Sequence, residues 1–552
     1  MTNQIRQKYD IAIIGAGISG LTAAAIAGKF GLKCCILEKE PNAGGYLAGF
    51  NRQEFQFDTA IHWLNQCNKN EMTGRIFSLI GNDSPKIKSM GKIHRFKGDT
   101  YDYLLTNNPD DLKNKLIEDF QHEKQGIEKF FMAAKNIGAG SLKYAKLFRT
   151  DESMSAFEKP FFKIKLLRFI IPLIKYVFYS GDKVPKGLSK FFKDKNLQKL
   201  YSSEKDLLSC LFPIAWAYNN GYQIPEKGGA RVFIQWLMHV NKELKNDIIL
   251  GAEVSKLNIE NNSCEKIEFI KNGEKKSIQS KYVISTADIE LLYTKLLPKG
   301  TVSQKFISKL ENAILYSSAV TVSIALDCLA ESLGIHQEII NISKEGIKRN
   351  DHDCGDPEIS DISVLAPSAR DKSLAPEGKG ILTLYIPSYI DYKNYWKTEK
   401  DENENYIRGE KYDKLKNEVA EIIIARVEKA LSVDLKKHIL FYDISTPITY
   451  HRYTWNKNGS MMGARPGKEN MQAGIAHHQT VIKNLILAGH WSDLGGGVPI
   501  SVKAAINAVL LILKKENKAS FNLLANYMDG KISLDDVNIS DLTKDYSNSW
   551  KQ

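Results

Sequence analysis

Cysteine is scarce in this sequence, and the few cysteines present form no recognisable pattern. The 552 residues include 7 cysteines, and no two of them have the C-x-x-C spacing of a redox centre or a zinc ligand pair. We therefore expect neither a disulfide framework nor a structural zinc site. His477 and His478 are adjacent rather than spaced like metal ligands on a helix, so no metal is predicted.

An apolar secretory segment is lacking at the start of the sequence. The residues MTNQIRQKYD lead directly into a strand-like stretch, so we expect a cytoplasmic protein. No repeat with a period of about 20–50 residues is visible, which argues against a solenoid. A composition with 43% hydrophobic and 25% charged residues is typical of a globular protein.

Negative charge is in short supply relative to positive charge. The 76 Lys and Arg residues exceed the 64 Asp and Glu residues, which gives a formal net charge of +12 at pH 7. Such an excess suits nucleic acid, anionic lipid or an acidic substrate. The position of the positive residues along the chain decides among these partners.

The first strong motif is a glycine-rich turn between a strand and a helix. Residues 10–14 form a short β-branched run, the glycines Gly15, Gly17 and Gly20 follow at once, and an alanine-rich helix comes next. This order predicts a dinucleotide-binding unit, because the turn lets the backbone approach a pyrophosphate and the helix N-terminus offers it free N–H groups. A second strand ends at Glu38, whose carboxylate suits the ribose hydroxyls. The unit by itself leaves both NAD and FAD open.

The residues after Glu38 resemble those of FAD-binding proteins. The segment EKEPNAGGYLAGF carries Gly44 and Gly45, a pattern similar to that of the glutathione-reductase-like and amine-oxidase-like flavoproteins. This resemblance favours FAD over NAD. Many of those proteins have an arginine after the glycine pair, where this sequence has Tyr46.

Six segments extend the resemblance over most of residues 8–515. In order and spacing they are similar to the phytoene desaturase, carotenoid isomerase and retinol saturase family of FAD-dependent oxidoreductases. The tract FDTAIHWL resembles the saturase and isomerase branch more than the desaturases. The six segments are FNRQEFQFDTAIHWL, IPEKGGARVFIQWL, YVISTADIELLY, PSARDKSLAPEGKGILTLYIP, TPITYHRYTWNKNGSMMGARPG and NLILAGHWSDLGGGVPISVKAAINA.

The resemblance implies a set of FAD-binding residues. Gly489 and the loop from Asp493 to Val498 correspond to the second flavin segment of the family, with Asp493 at the ribityl chain. Val254 matches the position whose backbone meets the adenine. Together with the glycine-rich turn, the predicted FAD-binding residues are Gly15, Gly17, Ser19, Gly20, Glu38, Lys39, Gly44, Gly45, Tyr46, Val254, Gly489, Asp493, Gly497 and Val498.

The same resemblance implies catalytic and substrate-binding residues. His62 and Trp63 fall where the family chain passes the flavin ring, so both are predicted to be catalytic, with His62 handing over a proton. The tract TYHRYTWNKNGSMMG looks like the wall that faces the substrate. It predicts a substrate tunnel lined by Tyr453, Trp455, Met461 and Met462.

These motifs predict the fold class and its division along the chain. We expect an α/β protein with a Rossmann-like FAD-binding domain of the glutathione-reductase and amine-oxidase type, an inserted α+β substrate domain and a helical membrane-facing segment. The predicted FAD-binding domain comprises residues 1–70, 222–300 and 480–515. The predicted substrate domain comprises residues 71–221 and 301–479, and residues 516–552 form a C-terminal tail.

A basic and apolar segment at residues 159–195 accounts for much of the net charge. It contains ten Lys or Arg residues and two acids, and residues 161–179 hold 14 apolar residues around four cations and one proline. Spanning a bilayer is disfavoured, since each charge at mid-membrane costs roughly 2.5–3.5 kcal/mol. The apolar arc is too wide for a helix with one buried face, so we expect attachment to an anionic membrane surface. No nucleic-acid-binding module accompanies the segment, so no nucleic acid is expected.

The family resemblance implies an enzyme that acts on carbon–carbon double bonds of a long apolar polyene, by desaturation, saturation or isomerisation. The electron partner stays open between NAD(P)H, a quinone and oxygen. Two alternatives remain. One is an amine-oxidase-like flavoenzyme, and the other is a prenyl-protein escort protein similar to the Rab GDP-dissociation inhibitors, which lack a functional flavin site.

Overall fold

The computed structural model describes residues 6–390, 395–396, 398–402 and 405–551. Its first sheet is built on β1 (Lys8–Ile14), whose apolar residues are almost completely buried. Parallel partners lie on both sides of β1, with Ile11 opposite Tyr282 on one side and opposite Cys34 on the other. The other strands of this sheet are β2 (Cys34–Glu38), β9 (Asp247–Leu250), β10 (Ala252–Glu260), β11 (Ser263–Lys271), β12 (Glu274–Ser285) and β18 (Leu485–Leu487).

The strand order of the first sheet is β10-β11-β12-β1-β2-β9, and β18 pairs with β12. The long strand β12 pairs in parallel with β1 and β18 and antiparallel with β11, so a β-meander extends from a parallel core. Helix α1 (Ile18–Lys29) lies buried along its whole length against this core, because its Ala and Gly side chains permit close packing. The Rossmann-like α/β fold predicted from the sequence is confirmed.

A second, mostly antiparallel sheet takes strands from both inserted stretches. Its order is β17-β13-β16-β15-β14-β6-β7, and only the β14–β6 pair is parallel. Its strands are β6 (Lys92–Lys97), β7 (Asp102–Thr106), β13 (Ser318–Leu326), β14 (Ile339–Ile342), β15 (Ile362–Leu365), β16 (Gly380–Ser388) and β17 (Ile439–Ser445). Two small antiparallel sheets complete the described strands. One is the hairpin of β3 (Phe50–Arg52) with β4 (Phe55–Phe57), and the other joins β5 (Ile87–Ser89) to the distant β8 (Gln223–Pro225).

Helices cover the first sheet, pack on one face of the second and form a separate helical layer. The remaining helices are α2 (Met72–Ile80), α3 (Pro109–Asp119), α4 (Lys124–Ala145), α5 (Glu158–Val177), α6 (Val184–Leu188), α7 (Lys195–Lys199), α8 (Leu207–Tyr218), α9 (Val232–Glu243), α10 (Ile289–Leu291), α11 (Gln304–Glu311), α12 (Pro367–Arg370), α13 (Glu410–Leu431), α14 (Pro447–Thr454), α15 (Lys468–Ala473), α16 (Gly497–Glu516), α17 (Lys518–Met528) and α18 (Leu534–Asn538). Helices α4, α5 and α8 pack on one another within the helical layer.

Helix α16 is the most apolar long helix among the described residues. By length and composition it could cross a membrane, but 72% of its apolar window is buried inside the protein, against α1, α2 and α17. The segment after it, expected to be a polar tail, folds back onto the same core through Leu524, Met528 and Tyr546. The domain boundaries drawn from the sequence stay a prediction.

Candidate functional site

A large cavity lies where the glycine-rich turn, the second sheet and the helical layer meet. Its volume is about 1470 Å³, whereas sites for one small molecule typically measure roughly 300–1,000 Å³. Polar and charged groups from β2 and its neighbours line one end, and aromatic and aliphatic side chains line the other. The cavity therefore has room for a dinucleotide together with a second, apolar ligand.

The glycines of the turn serve different purposes. Gly15 has φ +101°, and a Cβ there would lie 2.5 Å from Thr286 Oγ1. A Cβ on Gly20 would lie 2.0 Å from the carbonyl oxygen of Gly15, so this glycine lets α1 pack closely on the turn and does not line the cavity. Gly17 lines the cavity, and no atom lies within 4 Å of its Cβ position. Gly17 is thus the point at which a ligand can approach the backbone.

Ser19 and the start of α1 fit a pyrophosphate. The Ser19 hydroxyl is buried at the cavity wall and has no hydrogen-bond partner among the described residues. No acidic side chain lies in the first turn of α1, so the partial positive charge of the helix N-terminus is not neutralised. A phosphate oxygen would accept from the Ser19 hydroxyl and from the free N–H groups of α1.

Glu38 is fixed at the polar end of the cavity. Its two carboxylate oxygens accept from the backbone N–H groups of Ala16 (2.7 Å) and Glu40 (3.0 Å). Burial raises the pKa of Glu38, while these two N–H groups oppose the shift. The carboxylate lines the cavity with remaining acceptor capacity, as a pair of ribose hydroxyls requires. Lys39, Gly44, Gly45 and Val254 line the same end.

Tyr46 belongs to a neutral hydrogen-bond network at the cavity wall. Its hydroxyl donates to the Ser460 carbonyl (2.6 Å) and accepts from Asn456 Nδ2 (3.1 Å), which also lies 3.4 Å from His490 Nε2. Burial lowers the pKa of His490 to about 4, so the imidazole is neutral at physiological pH. Tyr46 and His490 therefore share one amide partner, Asn456, and neither side chain brings a charge to this part of the wall.

The second flavin segment reaches the cavity through backbone rather than through Asp493. Gly489, Gly497 and Val498 line the cavity, and α16 begins there at Gly497. Asp493 is not part of the wall, because its carboxylate pairs with Lys503 Nζ at 2.6 Å. This placement differs from the ribityl contact expected from the sequence.

His62 and Trp63 lie at the aromatic end of the cavity. The His62 ring stacks on Tyr385 with 4.5 Å between ring centroids and 5° between ring planes. Burial, together with the positive charge of Arg370, lowers the pKa of His62 to about 3. Trp63 contacts Trp216, with ring centroids 5.3 Å apart. The imidazole is therefore neutral and held in an aromatic wall.

Arg370 connects this wall to the second sheet. Its guanidinium is buried and donates to the carbonyl oxygens of His62 and, at 2.7 Å, Gln337. The sequence did not indicate Arg370, Tyr385 or Trp216 as site residues. The motif PSARDKSLAPEGKG was noticed only as part of the family pattern, and nothing in it points to a contact with His62.

The four residues predicted to line a substrate tunnel lie in different parts of the cavity wall. All four contribute to the cavity wall, but Tyr453 is 50% exposed and therefore lies at a rim. The Trp455 ring centroid lies 5.8 Å from Lys39 Nζ and 5.2 Å from Lys295 Nζ, which sets this ring at the polar end instead of in an apolar tunnel. Cation–π attraction accounts for that position. Met462 packs beside Gly496, next to the second flavin segment.

Asp327, Cys328 and His438, outside the cavity, bring potential metal ligands within 4.8 Å of one another. His438 Nδ1 and Asp327 Oδ1 are 2.9 Å apart, so the two residues already pair with each other. Their placement at the surface gives them no connection to the cavity.

Comparison with solved structures relates the fold to that of amine oxidases. A triple mutant of putrescine oxidase aligns with a TM-score of 0.56 at 12% identity, covering 92% of this chain and 99% of that one. Cyclohexylamine oxidase from Brevibacterium oxydans aligns with a TM-score of 0.54 at 11% identity, covering 92% and 100%. A family profile described as NAD(P)-binding Rossmann-like domain matches residues 13–78. The protein is thus of the Rossmann-like dinucleotide-binding class with an amine-oxidase-type fold.

Comparison with curated proteins narrows this class. All-trans-retinol 13,14-reductase of Danio rerio is 24% identical over 573 residues, covering 96% of this chain and 90% of that protein. Prolycopene isomerase of Daucus carota is 24% identical, covering 89% and 78%, and 4,4'-diapophytoene desaturase of Staphylococcus aureus is 25% identical, covering 90% and 97%. Over nearly its whole length the chain is thus similar to carotenoid- and retinol-saturase-type FAD oxidoreductases. A further relative, 22% identical, is named an inactive all-trans-retinol 13,14-reductase, so this similarity alone does not fix the activity.

Proposed function

We propose that this protein is an FAD-dependent oxidoreductase that acts on carbon–carbon bonds of a long apolar polyene, by desaturation, saturation or isomerisation. One observation carries the proposal. A single cavity joins the glycine-rich turn and Glu38 at one end to the aromatic wall of His62, Trp63 and Tyr385 at the other. Related proteins named for retinol, prolycopene and diapophytoene support the substrate class.

The residues of the polar end would hold FAD. Gly17 and Ser19 would receive the pyrophosphate at the start of α1, and Glu38 would accept from the ribose hydroxyls. Gly489 and the start of α16 would bring a helix N-terminus toward the isoalloxazine ring, where partial positive charge stabilises developing negative charge. When bound, FAD supplies hydride acceptance and donation.

The residues of the aromatic end would bind and align the polyene. A polyene offers no carboxylate or amide to polar side chains, so affinity must come from apolar contact and exclusion of water. Trp63, Trp216 and Met461 provide such contact, and methionine adapts to irregular shapes. His62 is neutral and therefore places no charge against an apolar chain.

Anaerobic incubation of the purified holoprotein tests the proposal directly. Oxidised and photoreduced protein would be incubated with candidate polyenes in liposomes, and the product masses recorded. Loss of two hydrogens identifies a desaturase, gain of two a saturase, and an unchanged mass with altered retention an isomerase. Protein that carries no yellow flavin would contradict the FAD assignment, and absence of product in both flavin states would contradict the polyene assignment.

We also propose that α5 attaches the protein to the surface of an anionic membrane. Tyr176 packs inward, whereas one side of the helix exposes large apolar residues, with Phe161 69% and Ile171 61% exposed. Ile164, Leu167 and Ile174 continue this side at helical spacing. Its cations Lys163, Lys165 and Arg168 pair with no carboxylate in the described part of the chain, so they are free to meet lipid phosphates.

Exchange of Ile164 and Ile171 for glutamate in one variant is expected to lower binding to anionic vesicles at least tenfold. Burying each of these side chains contributes about 1.5–3 kcal/mol, and a tenfold change corresponds to about 1.4 kcal/mol. Vesicle co-sedimentation measures the effect, with bound FAD as the check on folding. Ile539, which is 81% exposed at the end of α18 and not part of α5, provides the matched control as Ile539→Glu. Unchanged vesicle binding, or loss of a dimer instead, would contradict membrane attachment.

A further inference from the structure

One side of α8 carries an apolar strip made of Leu208, Phe212 and Trp216. These residues are spaced four apart, so they lie one above the other on the helix surface. All three are only partly buried, whereas their neighbours Leu207 and Leu211 are fully buried in the helical core. No charged side chain occurs on this helix, whose sequence is LLSCLFPIAWAY. The strip is thus a partly exposed apolar surface that also packs against the helical core.

The inner end of the strip enters the cavity. Trp216 forms part of the cavity wall, and its ring lies 5.3 Å from that of Trp63, the neighbour of His62. The Phe212 ring stacks on Trp216, with ring centroids 5.5 Å apart and an interplanar angle of 26°. Phe212, one helical turn before Trp216, is not part of the wall. The strip therefore runs from the cavity wall at Trp216 to residues outside the cavity.

The outer end of the strip meets the end of α5. The backbone N–H of Leu207 donates to the carbonyl oxygen of Tyr179 at 2.9 Å, which fixes the start of α8 beside the residues that follow α5. Phe178, immediately before Tyr179, is 69% exposed, and Val177 is also exposed. The exposed apolar residues at the end of α5 therefore lie close in sequence to the point where the chain meets the start of α8, and the strip on α8 ends at the aromatic wall of the cavity.

We infer that Leu208, Phe212 and Trp216 form the path along which a long apolar chain passes between the bilayer and the cavity. The inference rests on the proposed polyene substrate and on attachment through α5. A path of this kind keeps an apolar chain in contact with aromatic and aliphatic surface throughout its transfer, so the chain never crosses open water. The occupant is an unbranched or methyl-branched hydrocarbon chain, with no charged group along the part that crosses α8.

Phe212→Gln tests the path, with Phe212→Leu as the variant that restores apolar contact. Uptake of a polyene from anionic vesicles is followed by the quenching of tryptophan fluorescence, since Trp63 and Trp216 lie at the inner end. Phe212→Gln is expected to slow uptake about tenfold, while FAD content and vesicle binding stay at wild-type values. Phe212→Leu is expected to recover most of the rate. Ile539→Gln, at an exposed site away from α8, controls for loss of surface apolar area.

The outcomes separate this inference from the proposed function. Uptake that slows in Phe212→Gln without any product in either flavin state supports the path and contradicts the proposed chemistry. Normal uptake by Phe212→Gln, with product formed, overturns the path and leaves the chemistry in place. Wild-type protein that takes up no polyene overturns the path as well. Phe212→Gln and Phe212→Leu could also both melt at a lower temperature than the wild type and take up the polyene equally slowly. That result shows that Phe212 serves packing and overturns the path.

Discussion

Gly17→Ala is expected to weaken FAD binding severely while leaving the fold of the apoprotein intact. Gly17 lies at φ −72°, which any residue adopts, and its Cβ position is in open space at the cavity wall. The added methyl group would therefore strain nothing in the protein but would stand where the pyrophosphate approaches the backbone. We expect at least a hundredfold weaker FAD binding, or about 2.8 kcal/mol. Fluorescence titration of the apoprotein with FAD measures the affinity, and circular dichroism measures the melting temperature.

Gly20→Ala provides the contrasting variant. Its Cβ would lie 2.0 Å from the carbonyl oxygen of Gly15, so α1 would have to move away from the turn. Overpacking of this kind costs about 1–3 kcal/mol, and the melting temperature should fall together with FAD affinity. If Gly17→Ala bound FAD as the wild type does, the pyrophosphate would lie elsewhere. If Gly20→Ala kept its melting temperature, close packing of α1 on the turn would not be what this glycine provides.

The part of the site that lies within one strand–turn–helix unit could be predicted from the sequence. The apolar run of β1, the three glycines and Glu38 follow one another within about thirty residues, so their local pattern defines their geometry. The Rossmann-like α/β fold follows from the same unit. The structure adds the physical reasons, namely the close approach at Gly20 and the two backbone N–H groups on the Glu38 carboxylate.

The aromatic end could not be predicted in the same way, because its contacts join distant parts of the chain. Arg370 reaches His62 across 308 residues of sequence, and no local pattern marks such a pair. Asp493 and Trp455 lie in segments that line the cavity, but their side-chain directions depend on partners found only in the folded chain. Asp493 pairs with Lys503, and Trp455 lies near Lys39 and Lys295.

The structure of the segment 159–195 changes the interpretation of the net charge of +12. Composition alone left nucleic acid, lipid and acidic ligands open. The cations of α5 alternate with exposed isoleucine, leucine and phenylalanine side chains on the outward side of one helix. An anionic membrane surface matches these cations with lipid phosphates and the apolar side chains with its hydrocarbon layer. A nucleic acid also offers phosphates, but its backbone has no apolar layer.

His62→Phe is expected to lower turnover about a hundredfold or more while FAD affinity stays unchanged. The substitution keeps an aromatic ring against Tyr385 but removes both ring nitrogens, one of which can accept a proton because the imidazole is neutral. Loss of a group that transfers protons typically costs about 10²–10⁴-fold. Steady-state kinetics with a polyene that is converted in the anaerobic incubation measures the effect. Turnover within threefold of wild type would show that His62 serves only as a wall residue. His62→Gln, which keeps a hydrogen-bond donor, distinguishes donation from proton hand-over.

The pH dependence of stability gives His62 a second and independent test. Its pKa is about 3 in the folded protein, below the value of about 6.5 for an exposed histidine. Between those two pH values the unfolded chain binds a proton that the folded protein does not, so stability is lost as the pH falls from 6.5 toward 3. His62→Phe removes this loss, and the variant should gain on the wild type by about 1.4 kcal/mol for each pH unit below 6.5. Urea denaturation at pH 7, 6, 5 and 4 measures the difference. A constant difference across these pH values would mean that the imidazole is not held neutral by burial and Arg370.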